Sequence, residues 1–467
     1  MFYNEKFVTW RLNLIEVTML IRFVATNFKS YGTETEFNML PSQNVRRLDY
    51  HIHRNSAGSD VLCSAVIYGA NGAGKSCLVK AIGNLQAMVL AGSLLSSSNR
   101  DANKFVGANE PVTLEIEFKT LTGQYSYGLS YLGNICVEEW LYSTQKTPKC
   151  IFERKWASDS GKNEIRLEPD VKSDQRRDLL VSLLEDNLLK NNELLLSKYD
   201  IIKNEKMLDA FLWIANQLRV IEPETHSTSI FDNRYSDEEF KCQSEKLIAA
   251  FGLGISKLVL RDEDLDSFKQ SISEWPELVQ EIEEVVRNIS KSPEDGKEAL
   301  IETGLFTISI RFEGGRFYVR RVKTVHDVKD VSYDFELKEE SDGTQRIFDF
   351  LPAVQEVSVS DKTYVIDELD RSLHPILVRA LVKRIVTDKN MKGQLIFTTH
   401  DAGLLDGDIF RNDEIWFAEK DNDTQSTRLY SLDEFKPRTD LNLEKGYLNG
   451  RFGAVPFLAK LDDLNWE

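Results

Sequence analysis

Eight residues, Gly69-Ala70-Asn71-Gly72-Ala73-Gly74-Lys75-Ser76, fit the pattern G-x-x-x-x-G-K-[ST]. The spacing is that of a phosphate-gripping loop. Glycines let backbone N–H groups turn inward around phosphate oxygens. A helix that starts at the end of the run adds its positive N-terminal dipole. Lys75 brings a point charge to β- and γ-phosphates, and Ser76 a hydroxyl to Mg2+. The candidate nucleotide cradle is therefore Gly69, Asn71, Gly72, Ala73, Gly74, Lys75, Ser76 and Cys77. An accidental glycine-rich turn fits the context less well. An apolar, partly β-branched stretch, Val61–Tyr68, precedes it, and a helix-like run, Cys77–Leu90, follows.

Hydrolysis needs a second, acidic element. Thr363-Tyr364-Val365-Ile366-Asp367-Glu368 supplies one at the end of an apolar strand. Asp367 sits where a carboxylate binds Mg2+. Glu368 sits where a general base faces the attacking water. Alone, the stretch reads equally as a strand end capped by acids. Beside the loop, the catalytic reading prevails. Gln394–Thr399 is a further strand that delivers His400 at its C-terminal end, the edge where ligand residues of open α/β sheets collect. His400 there contacts the γ-phosphate or orients water. Ser341-Asp342-Gly343-Thr344-Gln345 opens an apparent helix. Its serine, its backbone N–H groups and its dipole could grip a phosphate, and a plain N-cap is the alternative.

These residues need elements to position them. Residues 21–25, 112–118 and 125–129 alternate as antiparallel strands do. Residues 173–220 and 264–288 are Leu- and acid-rich and helical in character, with no sustained heptad seam. Strand-like text returns at 305–311 and 316–322 around the turn Glu313-Gly314-Gly315. From Gln345 onward helix and strand alternate, which argues an α/β fold with a mostly parallel sheet. The division expected is an N-terminal extension (1–18), a head lobe (19–145), a mainly helical insert (146–300) and a second head lobe (301–467). Met19 offers a second, self-consistent start.

The chain has 467 residues and a net charge of −17, from 58 Lys+Arg against 75 Asp+Glu. A 42% hydrophobic content supports a sizeable core and rules out wholesale disorder. No apolar run is long enough to span a bilayer, and the first residues lack a signal-peptide pattern. Five scattered cysteines without C-x-x-C suggest neither disulfides nor zinc, so a cytoplasmic location is expected. The acid surplus disfavours a chain that coats nucleic acid. A local patch from Arg176-Arg177, Arg316, Arg320, Arg321 and Lys323 stays open. His51-Ile52-His53 lacks a third ligand nearby and reads as loop histidines. Glu414, Glu419, Asp433, Glu434 and Glu444 read as solvated acids.

The order loop, Ser341–Gln345, Asp367-Glu368, His400 resembles the ABC-type ATPase heads of the SMC/RecF/OLD group. Their signature is usually L-S-G-G-Q, from which Ser341-Asp-Gly-Thr-Gln345 departs at two positions. Asn27-Phe28-Lys29-Ser30-Tyr31 is similar to the start of such heads, and Leu369–Pro375 to their D-loop. More narrowly, IYGANGAGKS, ESDGTQRIFDF, IDELDRSLHP, IFTTHD and NLEKGYLNGRFGAVPFL resemble ATPase subunits of bacterial anti-phage systems such as PARIS, Septu and abortive-infection or RloB-associated ATPases.

The resemblance implies a P-loop NTPase head with a mixed sheet, an antiparallel β subdomain and an inserted helical lobe. It implies Mg2+ and two ATP molecules sandwiched between two heads, in a homodimer or larger oligomer. Lys75, Ser76, Asp367, Glu368 and His400 would come from one chain, and Ser341, Gly343 and Gln345 from the other. Asn27 joins the cofactor contacts by the same token. About 65 residues follow His400, fewer than the TOPRIM nuclease domain of OLD proteins needs. The function expected is thus an ATPase that regulates a separate effector, a nuclease, in anti-phage defence. The alternative is a RecF/SMC-like repair or chromosome-maintenance ATPase acting on DNA. A third, an ATP-binding module without turnover, is opposed by Glu368.

Overall fold

The computed structural model describes residues 18–455, apart from 56–57, 108, 146, 169–174, 224–237, 274–275, 292, 294, 303–306 and 439–440. The expected N-terminal extension, Thr18 excepted, lies outside the described residues, as does the end of the C-terminal motif from Pro456. The chain forms two compact units. One takes Met1–Val220, Val357–Asp367 and Val386–Glu467, and the other Ile221–Glu356 and Glu368–Ile385.

In the first unit, alternation builds an antiparallel sheet. Val112, Leu114, Ile116 and Phe118 are buried, while Thr113, Glu115 and Glu117 reach partway to solvent. The strand order is 162–167, 149–157, 135–143, 124–132, 112–119, 19–26, 35–38. The sheet therefore continues past residue 145, and the start of the expected helical insert is strand. Its charge-rich text hides that fact. Arg154 points inward, where Nε donates to Asn163 (2.8 Å) and Nη1 lies 3.6 Å from the buried Glu139 carboxylate. Burial pushes the Glu139 carboxyl up, countered by Arg154 and by the N–H groups of Leu196 and Leu195.

The second sheet of this unit is mixed, in the order 218–221, 363–366, 394–398, 64–68, 415–420, 427–431. Strands 363–366, 394–398, 64–68 and 415–420 run parallel to their neighbours in that order. All five residues of Ser64–Tyr68 are buried, as a central parallel strand requires. The helix Lys75–Ala91 buries Leu78, Val79, Ile82, Leu85 and Met88, three or four apart, on one face. Gln394 ties the two sheets together. Its side chain accepts from Leu20 N (2.7 Å) and donates to the carbonyls of Leu20 and Leu62 (both 3.0 Å).

Glu414 corrects the sequence reading. It is wholly buried rather than solvated. Its carboxylate meets His51 Nδ1 (2.8 Å), accepts from Ser64 Oγ (2.7 Å) and caps Arg411 N (2.7 Å). Arg411 in turn forks onto Asp413 (2.9 and 2.8 Å) and reaches the carbonyls of Arg47 and Val45. Residues 350 positions apart meet here, so no local pattern marks the burial.

The second unit holds a five-stranded sheet in the order 257–264, 316–328, 307–313, 297–302, with 331–336 also paired to 316–328. The hairpin turn falls on Gly314 and Gly315, both at positive φ (58° and 78°), which matches the expected turn. Phe268, Ile282, Ile310 and Val319 pack helices 265–271 and 276–290 onto the sheet. A separate cluster of Ile248, Leu258, Phe348 and Leu351 joins helix 238–250 to helix 342–356. The central stretch thus mixes sheet with helix and is not a purely helical lobe. Among the described residues, no helix is long and apolar enough to cross a membrane.

Glu414→Ala would strand His51, Ser64 and the Arg411 N–H in the interior. Its cost should be about 3 kcal/mol or more by urea unfolding. The exposed Glu444→Gln should stay within about 0.5 kcal/mol of wild type. Equal midpoints for the two variants would refute the buried role of Glu414.

Candidate functional site

The loop between strand 64–68 and helix 75–91 wraps around Lys75. Its side chain is buried, with 5% exposure. Nζ donates to the carbonyls of Gly69 (2.7 Å) and Ala70 (3.3 Å) and lies 3.3 Å from His400 Nδ1. Lysine has donors only, so Nδ1 accepts and the ring proton of neutral His400 belongs on Nε2. Gly72 and Gly74 take positive φ (76° and 100°), the conformation that turns successive N–H groups to one side. A Cβ at Gly74 would run into Thr427 and Ser30, so the closeness of the brace also requires glycine there. Asn71 and Gly72 are exposed, Ala73 is buried, and Ser76 and Cys77 are half-buried at the helix start.

Two distant segments hold the loop from behind. Thr427 Oγ1 donates to the Ala73 carbonyl (2.9 Å) and lies 2.8 Å from Ser30 Oγ, whose hydroxyl can donate to it. Tyr31 OH donates to the Gly74 carbonyl (3.0 Å). Burial raises the Tyr31 phenol well above its ordinary range, so it stays protonated and donates. The Asn27–Tyr31 motif now has a physical reason. Asn27 and Lys29 take positive φ (55° and 50°), and Phe28 and Tyr31 are wholly buried. Asn27 itself spends its amide on Glu110 O (2.8 Å) and Asn103 N (3.1 Å), bracing the loop region 103–111. Thr427 carried no signal in the sequence. Ser30 and Tyr31 were visible only through the motif.

Asp367 ends the strand two places from strand 64–68. It is 1% exposed, and one oxygen accepts from Thr398 Oγ1 (2.6 Å). His400 leaves the strand between them. Lys75, Asp367, Thr398 and His400 therefore share the C-terminal edge of three adjacent parallel strands. The donor set fits a magnesium nucleotide: one hydroxyl (Ser76), one carboxylate (Asp367) and phosphate oxygens suit an octahedral ion that keeps several waters. Among the described residues, no cluster of three or more His, Cys, Asp and Glu could hold a metal unaided. His51 is buried and faces Glu414 (2.8 Å), and His53 lies on strand Ile52–His53, so the pair is not the loop pair that the sequence suggested.

The second unit carries the other site residues. Ser341 caps helix 342–356, its Oγ accepting from Thr344 N (3.2 Å). Gln345 Nε2 donates to Glu340 O (2.8 Å). Gly343 sits against the Ser372 carbonyl, where a Cβ would not fit. Glu368 takes a left-handed φ of 47°, and its carboxylate lies 3.9 Å from Arg371. Of the basic residues proposed as a patch, Arg320 forks onto Asp262 (2.8 and 3.1 Å) and Lys323 pairs with Glu336 (3.1 Å).

Residues 64–406 match the family model described as "AAA domain, putative AbiEii toxin, Type IV TA system". No curated protein sequence matches the chain. Among solved structures the chain is similar to an SMC head bound to the C-winged helix domain of ScpA, at 12% identity and a TM-score of 0.40, over 90% of this chain and 100% of that one. It is also similar to the SMC head domain from Thermotoga maritima, at 11% identity and 0.35, over 88% and 98%. A third is an Smc head with an extended coiled coil, bound to the C-terminal domain of ScpA derived from Pyrococcus furiosus, at 14% and 0.34, over 90% and 100%.

Lys75→Ala should weaken binding of a fluorescent ATP analogue by at least about tenfold, the worth of one charge-assisted bond. Thr427→Val, far from the motif in sequence, should weaken it by about fivefold by releasing the Ala73 carbonyl. Wild-type affinity in Thr427→Val would remove it from the brace.

Proposed function

The chain belongs to this AAA-domain family, and from that membership we propose that it binds and hydrolyses ATP with Mg2+ as an ABC-type ATPase. The observation that carries the reading is the edge shared by Lys75, Asp367 and His400 at the ends of adjacent parallel strands. Lys75 takes the β- and γ-phosphates, with the N–H groups of Gly72 and Gly74 beside them, while the Ala73 N–H closes the loop on the Ala70 carbonyl (3.1 Å). Ser76 and Asp367 hold Mg2+, which supplies charge neutralisation to the phosphates. His400, its Nδ1 turned to Lys75, presents its other face to the γ-phosphate or to water. Glu368, next in the chain after Asp367, is the general base.

We propose further that this ATPase works through a separate effector, a nuclease, in anti-phage defence. The motif resemblance supports it. Two heads would close over two ATP molecules, with Ser341, Gly343 and Gln345 serving the opposite site. The net charge of −17 favours a partner with a basic docking surface. Direct action on DNA is the second reading. The neutralisation of Arg320 and Lys323 by Asp262 and Glu336 weakens the patch it would need.

Glu368→Gln should bind ATP as wild type does, lose turnover by about 100-fold or more, and accumulate ATP-dependent dimers in light scattering. Undiminished turnover would sink the general-base assignment. Lys75→Ala should abolish protection in a phage plating assay, and full protection would overturn ATP-dependent defence. Tight, salt-sensitive binding of the purified chain to duplex DNA would favour the second reading.

A further inference from the structure

Glu368 adopts a backbone conformation that side-chain-bearing residues avoid, with φ at 47°. Such a residue keeps its shape only where the surroundings over-determine it. Its carbonyl oxygen has two donors. One is local, the Arg371 N–H at 3.0 Å, which closes the turn. The other is Arg346 Nη2 at 3.3 Å, from the first turns of the helix that Ser341 caps.

Arg346 is built into place. It is 4% exposed, and its Nη1 donates to the Glu222 carbonyl at 3.3 Å. Asp349, one turn on, lies 3.6 Å from the same Nη1, and the guanidinium stands 4.6 Å over the Phe350 ring. Its fork therefore spans two carbonyls from separate parts of the chain, which a lysine's single ammonium cannot do with the same geometry. A second contact ties the same two segments. Gly343 packs so closely on the Ser372 carbonyl that a Cβ would lie 2.5 Å from it.

We propose that Arg346 is a positioning residue: its guanidinium holds the Glu368 backbone and couples the helix opened by Ser341–Gln345 to the general base of the same chain. The inference rests on the reading of Glu368 as that base. The carboxylate direction of Glu368 follows from its φ and ψ, so a displaced carbonyl re-aims the base. A shift of helix 342–356 then reaches the Glu368 carbonyl directly through the Arg346 guanidinium.

The test uses the full-length protein with Arg346→Lys and Arg346→Gln, each alone and with Glu368→Gln. Turnover against ATP concentration, analogue binding and thermal melting are measured for all. Both single variants should lose about tenfold or more in kcat, with KM and analogue affinity within about twofold of wild type. Arg346→Lys keeps the charge beside Asp349 and Phe350, so it should melt near wild type. In the Glu368→Gln background neither should lower the residual rate further, since the group being aimed is gone. Wild-type kcat in either single variant overturns the inference. So does a further loss of the same factor in the Glu368→Gln background, or melting of both variants below assay temperature, which would mark a purely structural arginine. Wild-type turnover that survives Glu368→Gln unchanged defeats the underlying reading instead, and the inference with it.

Discussion

A lysine ammonium buried to 5% exposure sets the terms for the unit around it. A buried charge is costly unless its donors are met. Lys75 meets them with two carbonyls of its own loop and with His400. For Gly69 and Ala70 to turn their carbonyls toward Nζ, the loop must curl, and the curl is made by the left-handed Gly72 and Gly74. Left-handed glycines of this kind are the backbone conformation from which anion nests are made. The phosphate-binding geometry and the accommodation of the lysine are thus one conformation. It is kept by bonds from Thr427 and Tyr31, which hold the Ala73 and Gly74 carbonyls on the other side.

The sheet order decides which side chains can reach that lysine. Strand 394–398 lies directly beside strand 64–68, so His400 contacts Lys75, while Asp367 arrives one strand farther out. Thr398 closes the gap by donating to Asp367 from the intervening strand. A parallel arrangement is needed for this. Only then do three strand ends present their side chains at one edge. The antiparallel sheet contributes no residue to the edge, yet it is attached through Gln394, whose four buried side-chain bonds leave little freedom for the strand that bears His400.

Much of this was legible because the chemistry is local. The loop, the strand before it, the 17-residue helix after it and the acid pair are each continuous in sequence, and the strand and helix bounds at 363–366, 375–386 and 394–398 follow the pattern of apolar residues closely. What escaped was set by distance in sequence. Glu414 looked solvated because its partners, His51 and Ser64, stand at the other end of the chain. Strands 149–157 and 162–167 looked unlike sheet because Arg154, charged and buried, breaks the apolar alternation at an inward position. Thr427 falls in no motif, and its partners Ser30 and Ala73 lie more than 350 positions away, Ala73 in the loop itself. The middle of the chain read as helical because residues 173–220 and 264–288 dominate its text, while strand 257–264 is charge-rich and strands 149–157 and 162–167 precede them.

Those buried ions also bear on the net charge. Arg154 faces Glu139, Arg411 faces Asp413, and Arg346 faces Asp349, each pair buried and each summing to zero. Removing such pairs from the count leaves the surplus of acids as large as before. The buried pairs therefore leave the net charge of −17 unchanged. A net charge of that sign repels a polyanion at long range and speeds encounter with a basic partner, both effects fading as salt rises. The chemistry at Lys75 stands apart from it, because that site draws its positive potential from one buried ammonium and a helix N-terminus within a few ångströms.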